Sequence, residues 1–201
     1  MTRSIRLPHK VVLAVLITLC AGLVLAGCSG TKDAVDQTAG GQYKYVGATP
    51  RGKTIAEAKR KVAGPAKGSL LDGSAWNLRA LKGQVVVVNY WGTWCAPCRI
   101  ETPNFQRVYQ QFKAQGVTFV GVDVKETSSS PAKAFVKDNA ITFPIVYDAG
   151  AKTALQIGHL PLQGLPNTVV IDKQGKVAAV YVGSVQPGDL EPVLTSLAAE
   201  H

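Results

Sequence analysis

Val85-Val86-Val87-Val88-Asn89-Tyr90 leads without a break into Trp91-Gly92-Thr93-Trp94-Cys95-Ala96-Pro97-Cys98, and the reading of this junction decides the fold. The valine run is continuous rather than alternating, as in a central strand covered on both faces. Beyond the cysteines a helix is expected from about Pro97 to Gln115, because Phe105, Val108, Tyr109 and Phe112 recur at i, i+3, i+4 and i+7. Gly116 ends it. Pro103 removes a backbone hydrogen bond within it and is expected to kink the axis. Val117 to Asp123 reads as a second core strand, which a helical crossover makes parallel to the first. Two thiols therefore sit where a buried strand gives way to a helix.

Similar punctuation organises the remainder. Ser130-Pro131 is an N-cap followed by a first-turn proline, opening a helix to about Asn139. Phe143 to Tyr147 suggests a short strand and Thr153 to Ile157 a short helix, and the loop 158–164 carries His159. Thr168 to Ile171 and Lys176 to Val182 flank Asp172-Lys173-Gln174-Gly175 in the pattern of an antiparallel hairpin. Leu190 to Ala199 closes the chain as a helix with Pro192 in its first turn. Upstream, Leu70-Leu71, Asp72-Gly73 and Trp76-Asn77-Leu78 read as strand, turn and returning strand. Signals before that are weak: residues 43–46 alternate, and residues 54–62 fit either a basic helix or an extended arm.

The N-terminus has a different character. Arg3, Arg6 and Lys10 precede an apolar run from Val11 to Ala26, the order of a secretory signal. The run is shorter than the ~20 residues of a spanning helix. Leu25-Ala26-Gly27-Cys28 resembles the lipobox of bacterial lipoproteins, which implies cleavage before Cys28 and a diacylglyceryl group on its sulfur. An uncleaved signal anchor is the alternative, and either form tethers the chain to the extracytoplasmic face of the cell membrane. The expected organisation is a signal peptide over 1–27, a flexible, partly basic tether over 28–67 and a folded domain over 68–201.

The formal charge of +9 is unevenly spread. Residues 1–27 carry +3, and residues 51–67 carry +5 from Arg51, Lys53, Lys59, Arg60, Lys61 and Lys67 against Glu57. Residues 68–201 hold eleven basic and ten acidic side chains, so no face for nucleic acid is evident. The basic segment fits either a solvated linker or attraction to anionic headgroups. Of the four cysteines, Cys20 lies in the signal and Cys28 is assigned to lipid, leaving Cys95 and Cys98 as free thiols. A pair this close in sequence closes too short a loop to stabilise much as a staple, and outside the cytoplasm it reads as a working redox couple.

Strand, helix, strand, helix, hairpin, helix, with a CxxC opening the first helix, is the thioredoxin pattern. More closely, the chain from about Gly68 onward resembles the TlpA/ResA-like extracytoplasmic thiol–disulfide oxidoreductases. The resemblance is carried by the motif from Trp91 to Cys98, by Glu101 and Pro103, and by Leu165-Pro166-Asn167-Thr168 before a strand. Leu71-Asp72-Gly73, Leu81-Lys82-Gly83 and a segment between Asp123 and Pro166 that is longer than in plain thioredoxin also match. It implies an α/β, three-layer α/β/α thioredoxin-like fold with an N-terminal β-hairpin extension and a central insertion. It also implies reduction of protein disulfides with no cofactor beyond the Cys95–Cys98 disulfide. Apocytochrome c before haem attachment would be the substrate, and an integral membrane thiol carrier of the CcdA/DsbD type the source of electrons.

Cys95, at the N-terminal end of a helix, is expected to attack first, because unpaired N–H groups and the positive dipole end favour a thiolate. Cys98, one turn along, then resolves the mixed disulfide. Pro97 suits an early helical position, and the resemblance makes Ala96 and Pro97 the positions that tune the reduction potential. Trp94 reads either as a substrate platform or as packing for the turn. The resemblance gives Pro166 a cis bond beside the cysteines, leaving the backbone of Leu165 to pair with an extended substrate.

One departure concerns proton transfer. Plain thioredoxins carry a buried acid six residues before the first cysteine, where this chain has Asn89. Glu101 matches a glutamate that ResA-like proteins hold near their active-site cavity, and burial would raise its pKa toward a useful range. The plainer reading of Glu101 is a surface residue near a helix start. A CxxC with a distant His159 is similar to Sco-type copper proteins, although their cysteines are spaced one residue wider, and zinc lacks a fourth ligand. A solvated loop histidine is the simpler reading. Gly92 stands where peroxiredoxins have threonine, which argues against peroxidase activity. The competing functions are a disulfide-forming oxidase of secreted proteins and a copper-binding module.

Overall fold

The computed structural model describes residues 48–158, 160, 162 and 164–200. Among them, β1 (Lys67–Leu70), β2 (Ala75–Asn77), β3 (Val85–Trp91), β4 (Val117–Asp123), β5 (Ile145–Tyr147), β6 (Asn167–Ile171) and β7 (Val177–Val182) form one sheet in the order β2-β1-β5-β4-β3-β6-β7. Helices α1 (Ala96–Phe112), α2 (Ser130–Asp138), α3 (Lys152–Gly158) and α4 (Pro187–Ala199) complete a thioredoxin-like α/β arrangement.

Every residue of β3 is buried, as its unbroken apolar run requires. Val85, Val87 and Trp91 face the core that holds Phe105, Val108 and Phe112 of α1 and Leu190, Leu194 and Leu197 of α4. Val86, Val88 and Tyr90 face the opposite core with Ala154 and Ile157 of α3. β4 pairs in parallel with β3 through the α1 crossover, whereas β6 pairs with β3 antiparallel and continues into β7. The segment between β4 and β6 supplies α2, β5 and α3, and β5 joins β4 to the β1–β2 hairpin.

Several boundaries differ from the sequence expectation. α1 begins at Ala96 and ends at Phe112, with Lys113–Gln115 tightened into a 3₁₀ turn before Gly116 at φ +76°. Leu78 leaves the returning strand to open a 3₁₀ turn, where Asn77 accepts from the Arg79 N–H at 3.0 Å. α4 starts at Pro187 rather than Leu190, because Asp189 accepts from the Gln186 N–H at 3.1 Å and caps an earlier turn. Pro192 consequently lies inside the helix.

The described part of the expected tether is an arm docked on the domain. Thr49, Ile55 and Ala63 donate N–H bonds to Val180, Ala178 and Gly175, with only a 3₁₀ turn at Glu57–Lys59. Arg60 bonds Asp172 at 3.1 Å and Glu200 at 2.6 Å, tying the arm to both the hairpin turn and the end of α4. No local periodicity announces such an arm, because its bonds run to residues more than a hundred positions away.

Candidate active site

The Cys95–Cys98 couple is built by the end of β3 and the start of α1. Cys95 is the N-cap of α1, in extended backbone at φ −91°, and its sulfur accepts the Cys98 N–H at 3.3 Å. The same end of the helix leaves N–H groups free to stabilise negative charge on that sulfur. The two cysteines form a disulfide with Cα atoms 5.3 Å apart. Cys95 is 5% exposed and Cys98 is fully buried, so an incoming disulfide reaches Cys95 first. Pro97 lies in the first helical turn, where its missing N–H costs nothing.

A Cβ at Gly92 would meet the Trp94 indole nitrogen at 2.6 Å, so any larger residue there displaces the ring. Trp94 Nε1 donates to the Val124 carbonyl at 3.3 Å, yet the ring remains 54% exposed. Ile100, on the first turns of α1, is likewise exposed. Trp94 thus both packs the turn and presents a face to solvent.

Glu101 lies one turn beyond Cys98 and is only 3% exposed, contrary to the surface reading. Its Oε2 accepts from Asn89 Nδ2 at 2.9 Å and its Oε1 from the Val185 N–H at 2.6 Å. Asn89 also donates to Thr168 Oγ1 at 3.1 Å, from the strand directly opposite in register. Burial pushes the Glu101 carboxyl up to about 7, against the opposing pull of the Val185 N–H, the Asn89 amide and the Arg51 charge. An acid that gains and loses a proton near neutrality, one helical turn from a sealed thiol, is of the type that serves proton transfer.

A family model described as AhpC/TSA matches residues 58–180. The thiol-disulfide oxidoreductase ResA of Bacillus cereus is 37% identical over 127 residues, covering 63% of this chain and 71% of that protein. Among solved structures, a DsbF homologue from Corynebacterium diphtheriae superposes with a TM-score of 0.69 at 39% identity, covering 74% of this chain and 96% of that one. A secreted thiol-disulfide isomerase from Corynebacterium glutamicum gives 0.70 at 36% identity over 76% and 96% of the two chains. The chain belongs to the AhpC/TSA family as a ResA-like thiol–disulfide oxidoreductase.

In this ResA-like chain the Leu165–Pro166 peptide is cis, and the Pro166 carbonyl accepts from the Gly183 N–H at 2.9 Å. Leu165 is half-buried and touches both cores. Cys28 and His159 lie outside the described residues.

Two acids were not singled out by the sequence. Glu126 accepts from both the N–H and the hydroxyl of Thr93, fastening the turn before Cys95 to the loop after β4. Asp123, at the end of β4 and opposite Trp91, is fully buried, and neither carboxyl oxygen has a hydrogen-bond partner among the described residues. Burial, then the nearby Glu126 charge, pushes it up to about 7. An acid closing a largely apolar strand is the signal by which Asp123 could have been found in the sequence. Glu126 carries none, because its partner is 33 positions away.

Proposed function

We propose that this ResA-like protein is tethered to the outer face of the cell membrane and reduces protein disulfides there, apocytochrome c among them. The supporting observation is the layering of the site: Cys95 at the helix N-cap, Cys98 sealed behind it, and Glu101 buried one turn further on. In the reduced protein the Cys95 thiolate attacks one substrate sulfur. The substrate S–S bond breaks, a Cys95–substrate disulfide forms, and the other substrate sulfur leaves and is protonated. Cys98 passes its proton to Glu101 and attacks the Cys95 sulfur, releasing the second substrate thiol. Two electrons have then moved to the substrate, and Cys95 and Cys98 are joined.

The couple is itself the redox group in this scheme. Trp94, Ile100 and the Leu165–Pro166 segment are the proposed substrate contacts, and Ala96 and Pro97 the tuning positions. A membrane thiol carrier of the CcdA/DsbD type returns the electrons by the reverse exchange. The direction and the substrate rest on the family resemblance, and the tether rests on the Leu25-Ala26-Gly27-Cys28 match.

The direction is tested by alkylating the thiols rapidly in intact cell envelopes. Cys95 and Cys98 trapped mainly as thiols support a reductant, while a mainly disulfide population makes the protein an oxidase. The tether is tested by Cys28→Ala, which is expected to lose lipid labelling. Unchanged labelling of that variant rules out the lipidation assignment.

A further inference from the structure

The first part of the arm, ahead of the family-model match, reaches the loop that holds Glu101. Thr49 exchanges two hydrogen bonds with Val180, its N–H donating to the carbonyl at 2.7 Å and its Oγ1 accepting the N–H at 3.0 Å. The buried Tyr181 donates its hydroxyl to the Lys53 carbonyl at 2.7 Å. Between these anchors the chain turns at Pro50 and Gly52, with the Lys53 N–H on the Pro50 carbonyl at 3.1 Å and Gly52 at φ +68°. Arg51 stands at this turn, and its Nη2 donates to the Val182 carbonyl at 3.2 Å, lying against Gly183.

The loop from Val182 to Val185 is where three parts of the site meet. Val182 holds Arg51, Gly183 donates to Pro166, and Val185 donates to Glu101. Arg51 and Glu101 are thus bound to one short loop, three positions apart. The arm thereby brings a positive charge to the loop that holds the carboxyl.

We infer that Arg51 is a positioning residue for the exchange reaction: docked over the β7–α4 loop that holds Glu101, its guanidinium favours the ionised carboxylate and so tunes how readily that acid takes the Cys98 proton. This rests on the proton-transfer role proposed for Glu101.

The other polar groups of the neighbouring elements do not duplicate the effect. From β3 and β6 come Asn89 and Thr168, which are uncharged. From β7 comes Tyr181, whose hydroxyl burial and then Asp189 push up to about 12, against the pull of Arg51, so it stays neutral. Asp189 of α4 is engaged by the Gln186 N–H. On α1, Arg99 is exposed and is not among the influences on Glu101, and the Cys95–Cys98 disulfide is uncharged. Arg51 is among the influences on Glu101 itself, and it acts in the direction of ionisation.

Arg51 is exposed, so its field is partly screened, and an effect of roughly half a pH unit is expected. The test is a carboxyl carbon NMR titration of the full oxidised chain in detergent, with Glu101→Gln assigning the signal. The wild-type midpoint is expected near 7. Arg51→Gln should move it to higher pH by roughly half a unit, and Arg51→Lys, which keeps the charge, should restore most of the difference. The shift should shrink as salt is added. A wild-type midpoint in the ordinary carboxylate range overturns the Glu101 reading itself. A midpoint near 7 that Arg51→Gln leaves in place, or that both substitutions move equally, overturns the role of Arg51 alone.

Discussion

Asn89 Nδ2 donates to Glu101 Oε2 at 2.9 Å, so the strand position that holds an acid in plain thioredoxins here serves an acid on the helix. The buried carboxyl thus stands on α1, one turn after Cys98, rather than on β3. Asn89→Asp would set two carboxyls within hydrogen-bond distance in a buried site, where they cannot both ionise cheaply. The expected result is a loss of stability of about 1–3 kcal/mol at pH 8 that largely disappears at pH 5, where a shared proton binds the pair. Denaturant unfolding at the two pH values checks this, and equal losses at both would contradict the shared site.

The two thiols are expected to fail differently. Cys95→Ser should abolish exchange with a disulfide substrate, because the reachable sulfur is gone. Cys98→Ser should still attack but stall, accumulating a covalent substrate adduct visible on non-reducing gels. Turnover by the Cys95 variant near the wild-type rate, or absence of any adduct in the Cys98 variant, would reverse the assigned order.

Stability should fall as pH rises from about 4.5 to about 7. Through this window the folded chain keeps a proton on Glu101 that the unfolded chain, with its carboxyl at the ordinary value of 4.5, has released. The folded state then binds more protons, so raising the pH favours unfolding. Asp123 acts in the same sense from 3.8 to about 7. Each contributes on the order of a few kcal/mol by pH 8. Glu101→Gln and Asp123→Asn should each flatten the decline in urea midpoints, and a variant profile parallel to wild type would show that its acid is not held neutral.

Arg60→Ala should destabilise the fold strongly without touching the chemistry. The Arg60 side chain is 4% exposed and that of Asp172 is 0%, so the change leaves a buried carboxylate without its cation. Breaking such a pair costs about 3–5 kcal/mol. Removing Asp172 as well should recover part of the loss. A double variant no more stable than Arg60→Ala would locate the cost elsewhere in the arm.

The sequence by itself determined the strand–motif–helix junction, because each signal is local. The valine run encodes a doubly covered strand, the Phe105–Phe112 periodicity encodes a helix face, and the cysteines three positions apart encode a couple on one helical turn. Gly73, Gly116 and Gly175 mark turns whose positive φ angles need no distant partner. Tertiary structure alone decided the electrostatics of the site. Glu101 reads equally as a surface residue until β3, β6 and the β7–α4 loop close around it and remove its water. The arm was equally hidden, since Arg51 and Arg60 look like any charge run until β7 and α4 offer carbonyls and carboxylates to hold them. Burial and through-space charge depend on which distant residues become neighbours, and that information appears only when the chain has folded.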